Sequence, residues 1–109
     1  MIVMRSLLSA AGLAVMMSAP QARADDAANA QALAEKNLCL ACHKVDERLV
    51  GPSYKEVAAK YKGDPGANDR LVAKVRKGGK GVWGKEAMPP NKDISDDDVK
   101  TIVRWVLAQ

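Results

Sequence analysis

Cys39-Leu40-Ala41-Cys42-His43 gathers both cysteines and the only histidine of the chain into five consecutive positions. The spacing C-x-x-C-H is the signature of covalent haem attachment. In a helical turn, residues three apart share a face, so the Cys39 and Cys42 thiols can reach the two vinyl groups on one edge of a porphyrin. His43, next in line, can turn its imidazole under the ring to bind iron. Other readings compete for the same residues. A thioredoxin-like redox pair wants a strand before a helix, and no alternating strand of useful length is visible. A structural zinc site wants four ligands, and three good ones exist. A Cys39–Cys42 disulfide suits an oxidising compartment, but it leaves His43 unexplained.

The composition supports a large apolar filler. The chain has 109 residues, room for one domain. It has no Phe, two Trp and two Tyr. Chains of this size bury only about 60% of their unfolded surface and often need a metal, disulfide or cofactor as a staple.

The N-terminal stretch reads as a leader rather than as fold. Arg5 precedes an uncharged run from Leu7 to Met17, Pro20 breaks it, and Ala22-Arg23-Ala24 puts small residues where a signal peptidase reads. The run is short of the about 20 residues that span a bilayer. The expectation is a cleaved secretory signal over residues 1–24 and a single domain over 25–109, with no stable membrane insertion after cleavage. Of the 17 Lys and Arg against 13 Asp and Glu, Arg5 and Arg23 leave with the leader. The remaining balance is too weak for a nucleic-acid footprint.

The rest reads as about four helices. Asp25 to Leu38 is alanine-rich, with Asp25 or Asp26 as cap, and runs into Cys39. Ser53 stands three residues before Glu56, the spacing of a capping box, opening a helix from Tyr54 to about Lys62 that buries Val57, Ala58 and Tyr61. Asn68 or Asp69 opens a third through Lys77, with Leu71, Val72 and Val75 on one side and Gly78-Gly79 as its end. Ser95 caps the last. Asp96, Asp97 and Asp98 fill its first turn, and Val99, Ile102, Val103 and Val106 form its apolar stripe. Trp105 is expected against the first helix. Residues 81–93 have no period, and so long an irregular run in a small domain is usually functional.

A haem iron bound by one histidine takes a methionine, a lysine or water as sixth ligand, or stays open. Met1, Met4, Met16 and Met17 lie in the leader, so Met88 is the one methionine of the mature chain. A lone methionine is ordinarily core filler. Here Pro89-Pro90 stiffen the loop around it, and a His/Met pair favours reduced iron and a raised potential.

With these residues, the mature chain resembles the small bacterial class I cytochromes c, specifically the periplasmic cytochrome c-551 group. The resemblance covers nearly all of 25–109. It rests on the haem motif, Val50-Gly51-Pro52-Ser53-Tyr54-Lys55-Glu56-Val57-Ala58, Gly81-Val82-Trp83-Gly84, Met88-Pro89-Pro90-Asn91 and Trp105-Val106-Leu107. It implies an all-α class I cytochrome c fold, about four helices wrapped around one haem c joined to Cys39 and Cys42. It further implies that the Pro52 carbonyl accepts from the second nitrogen of His43 and that the Trp83 indole meets a haem propionate. Asn91 should touch the Met88 sulfur, and Lys74 should lie near the propionates. The plainer readings are a turn at Pro52 and Asn91, loop filling by Trp83 and a solvated charge at Lys74. The first helix has only alanines and Leu33 where larger apolar residues often sit, and Tyr61 stands where an aromatic is expected.

The function so implied is a periplasmic, monomeric, non-enzymatic one-electron carrier of a respiratory or denitrifying chain. Its electrons would run from a bc-type quinol-oxidising complex to a cytochrome cd-type nitrite reductase or a haem-copper oxidase. Lys36, Lys44, Arg48, Lys85 and Lys92 are candidates for a positive docking rim, with scattered solubilising charge as the alternative. A peroxidase or gas-binding haem with Met88 off the iron, and a haem-free domain with a disulfide, are the competing functions.

Overall fold

The computed structural model describes residues 11–14 and 24–109. The expected leader therefore lies, apart from 11–14 and Ala24, outside the described residues. Among these, four α-helices and one 3-10 turn are present and no strand: α1 (Ala24–Lys36), the turn Cys39–Ala41, α2 (Tyr54–Lys60), α3 (Ala67–Lys77) and α4 (Asp96–Leu107). The all-α expectation holds.

The last helix is the hub. α1, α2 and α3 each pack on α4 and not on one another. The apolar stripe of α4 explains why: Val99, Ile102, Val103 and Val106 are all buried. Ile102 and Val106 join Ala34, Tyr54 and Val57, while Val99 and Val103 join Ile94 beneath Leu71, Val72 and Val75 of α3. Trp105 is half-buried against the first of these clusters, edge-on to Tyr54 with ring centroids 5.4 Å apart. Ala30 and Ala34, one turn apart, are fully buried. Small side chains there let α1 close on its neighbour where a larger residue would hold it off.

Caps follow the sequence reading at two helices. The Ser53 hydroxyl accepts from the Glu56 N–H at 3.1 Å, and the Glu56 carboxylate accepts from the Ser53 N–H at 2.9 Å. Ser95 accepts from the Asp98 N–H. Elsewhere the boundaries shift. α1 begins at Ala24, ahead of the two aspartates, so Asp26 lies inside its first turn, where negative charge complements the dipole. α2 stops at Lys60. α3 starts at Ala67, behind an Asp64 carboxylate that accepts from the Gly66 N–H at 3.0 Å and turns the chain.

α1 does not run into the cysteines. It ends at Lys36, the Asn37 amide caps it by donating to the Leu33 carbonyl at 2.8 Å, and Leu38 takes φ 61. That left-handed conformation redirects the chain into Cys39. A leucine pays about 1–2 kcal/mol for it, and Leu38 is 74% exposed, so burial offsets little. Leu38→Gly should therefore stabilise the holoprotein by about 0.5–1 kcal/mol, after allowing for glycine's freer unfolded chain. Denaturant unfolding of the two proteins measures it; a less stable variant would mean that the Leu38 side chain makes contacts outweighing the strain.

Candidate functional site

The turn after α1 brings the motif together. The Cys42 and His43 N–H groups both donate to the Cys39 carbonyl, at 3.2 and 3.0 Å, which winds the five residues into one compact turn. The two thiols are free and partly buried. Burial pushes the Cys39 thiol above its ordinary pKa, the nearby Cys42 adds to the rise, and a backbone hydrogen bond partly opposes it. Among the described residues no group of three or more His, Cys, Asp or Glu could hold a metal, so the zinc alternative finds no ligand set.

The segment after the motif folds back and fixes the imidazole. The Gly51 N–H donates to the Cys42 carbonyl at 2.8 Å, and the Tyr54 N–H to the Lys44 carbonyl at 2.9 Å. His43 Nδ1 then lies 2.8 Å from the Pro52 carbonyl, which makes Nδ1 the protonated nitrogen and leaves Nε2 as the free donor pair. Two neighbours unmarked as site residues by the sequence complete the clamp. The Tyr54 ring stacks on the imidazole at 5.2 Å between centroids, 19° from parallel. Gly51 sits so close that a Cβ there would stand 2.5 Å from His43 Cε1. Burial raises the Tyr54 phenol well above its ordinary pKa, so it stays neutral. The signal for both was present in the G-P-S-Y stretch, which fits an ordinary turn and helix start equally well.

Met88 is held from below α3. Its N–H donates to the Gly79 carbonyl at 2.8 Å, and the Gly79 N–H donates back to the Met88 carbonyl at 3.0 Å. Gly78, at φ 70 and ψ −170, lies against the Met88 carbonyl and Pro90 nitrogen with no room for a Cβ. The Asn91 Nδ2 donates to the Val75 and Pro89 carbonyls, both at 3.3 Å.

A cavity of ≈ 530 Å³ is lined at once by Cys39, Cys42, His43 and Met88, with Val57, Ile102 and Val106 giving it an apolar floor. Trp83 lines it too, half-buried, with Arg48 5.9 Å and Lys60 5.6 Å from its ring centre. Lys74 lines it from α3, its Nζ against Gly79. Leu49, Val50 and Val82 are exposed at the mouth. Of the five basic rim candidates, Arg48 and Lys85 stand at the cavity, joined by Lys80; Lys36, Lys44 and Lys92 are exposed but line none of it.

These residues fit a covalently attached haem. Two thiols one turn apart suit two thioether bonds, an imidazole with one nitrogen committed suits iron, and an apolar cavity of this size suits a porphyrin.

The comparisons agree with that fit. Residues 27–109 match the cytochrome c family. Cytochrome c-551 of Allochromatium vinosum is 51% identical over 93 residues, which cover 85% of this chain and 94% of that protein. Cytochrome c-551 of Pseudomonas aeruginosa is 49% identical over 71 residues, covering 65% of this chain and 67% of its own. The crystal structure of wild-type Nitrosomonas europaea cytochrome c552 superposes with a TM-score of 0.70 at 45% identity, covering 72% of this chain and 96% of that one.

Proposed function

Since this chain belongs to the cytochrome c family and is a small electron carrier with one haem c attached through Cys39 and Cys42, we propose that His43 and Met88 are its two iron ligands and that it works in the periplasm. The observation that carries the reading is the cavity that has the Pro52-bound imidazole and the Gly79-bound methionine in one lining. When bound, the haem supplies a reversible one-electron iron couple.

The protein's part is to keep everything else still. The Pro52 carbonyl holds Nδ1 of His43 and keeps the ring from turning, which would leave Nε2 for the iron, and Tyr54 supports the ring by stacking. The double hydrogen bond to Gly79 holds Met88, and with both side chains bound the iron would have no open site for oxygen chemistry. The apolar floor keeps water out and disfavours extra positive charge, which raises the potential. Trp83 and Lys74, both in the lining, are suited to meet the propionates, the one as an N–H donor and the other as a cation.

Residues 1–24 direct export, after which 25–109 act as a monomer. Electrons arrive from a bc-type quinol-oxidising complex and leave to a cytochrome cd-type nitrite reductase or a haem-copper oxidase. Leu49, Val50 and Val82 supply an apolar centre at the cavity mouth, and Arg48, Lys80 and Lys85 a basic edge for brief, salt-sensitive contacts with acidic partners.

Optical spectra of the exported protein test this. Sharp reduced c-type bands together with the weak long-wavelength band from methionine sulfur to ferric iron are expected. Haem bands without the sulfur band would take Met88 off the iron and favour a ligand-binding or peroxidase role.

A further inference from the structure

Arg76, in the last turn of α3, has a side chain that is only 25% exposed. Its Nη1 donates to two main-chain carbonyls, Asn91 at 3.4 Å and Lys92 at 3.2 Å. Its Nε donates to Asp96 Oδ1 at 3.1 Å, and Nη2 bonds the same oxygen. One guanidinium thus joins the end of α3, the segment leaving Met88-Pro89-Pro90, and the first turn of α4. Beside it the Asn91 N–H donates to the Val75 carbonyl at 3.0 Å. Met88 is therefore anchored on two sides: at its own backbone by Gly79, and three to four residues downstream by Val75 and Arg76.

The ion pair alone does not account for this arrangement. Asp96 is 76% exposed, and such pairs stabilise little. A lysine would satisfy Asp96 as well. Only the planar fork of an arginine can hold a carboxylate and reach two carbonyls together. Nor does α4 need Arg76 for its start, since Ser95 already caps it.

We propose that Arg76 is a positioning residue for Met88: by fixing the Asn91-Lys92 segment it keeps the thioether at the iron in the oxidised protein. The inference rests on Met88 being the sixth ligand. A thioether favours reduced iron, so the oxidised protein is where a slackened loop would show first.

The test uses the holoprotein and its Arg76→Gln, Arg76→Lys and Asp96→Asn variants. The rate at which added imidazole displaces the sulfur from ferric iron is followed through the sulfur band, and the reduction potential is recorded beside it. Arg76→Gln should exchange about tenfold faster than wild type, the effect of losing charge-assisted hydrogen bonds that hold only the ligated loop. Its potential should fall. Arg76→Lys keeps the charge and the Asp96 pair but not the fork, and should also exchange faster; it carries the test if Arg76→Gln does not fold. Asp96→Asn should stay near wild type. Wild-type exchange rates in both Arg76 variants would overturn the proposal, as would an equal acceleration in Asp96→Asn, which would trace the effect to the ion pair. A wild type without any sulfur band overturns the Met88 assignment itself, and that is seen before any variant is made.

Discussion

Met88→Ala is expected to abolish the sulfur-to-iron band and to lower the reduction potential by on the order of 0.1–0.3 V, within the about 0.8 V range over which axial ligands act. Donor character sets the direction. A thioether is neutral and soft and stabilises the reduced metal; water or an open site does not. The variant should also bind added imidazole readily in the ferric state, since nothing needs to be displaced. Global stability should change less, because Met88 is half-buried in a loop and its backbone bonds to Gly79 survive truncation. An unchanged band and potential would sink the assignment and turn attention to the lysines of the same lining, Lys74, Lys80 and Lys85.

Gly78→Ala should be the most damaging single change in the Met88 support. Gly78 adopts φ 70 and ψ −170, a region essentially closed to other residues, at a cost of about 1–3 kcal/mol. In addition its Cβ would overlap the Met88 carbonyl and lie 2.9 Å from the Pro90 nitrogen. These are backbone atoms and cannot swing aside like a side chain. The two effects together should destabilise by about 3 kcal/mol or more, a fall of roughly 12 °C or more in Tm for a domain of this size. The sulfur band should weaken in the same variant, because relief comes by pushing the Met88 loop away. Thermal melts of the holoprotein with the band recorded below the transition check both. A melt close to wild type would mean that the loop yields cheaply and that Gly79, not Gly78, fixes it.

Much of this was legible in the chain itself. The valine and isoleucine stripe of α4 and the Ser53 capping box depend only on local spacing, and both stand as read. Cys39, Cys42 and His43 are adjacent in sequence, so their grouping required no tertiary knowledge. The Pro52 carbonyl came through family resemblance, and the structure places it at hydrogen-bond distance from the imidazole. What escaped depends on long-range contact or on a departure from propensity. Leu38 in a left-handed turn contradicts the preference of leucine, so α1 ends at Lys36, two residues before the Leu38 to which the alanine-rich stretch points. Tyr54 reads as an ordinary apolar helix residue until its ring is found on His43. Arg76 looks like one more solvated charge, and only the return of the loop to α3 gives it partners. The amide of Asn91 likewise finds the Val75 carbonyl only through that return of the loop.

The dependence of α1, α2 and α3 on a single C-terminal helix also sets an order of events during synthesis. A chain made from its N-terminus has no docking surface for its first three helices until α4 has been translated. Isolated helices of seven to thirteen residues, the lengths of these three, are marginal in water. The nascent polypeptide therefore stays open until its last residues appear, and the two thiols remain reachable to a modifying enzyme for all of that time. A truncation that removes α4 would leave an unfolded chain rather than a smaller domain.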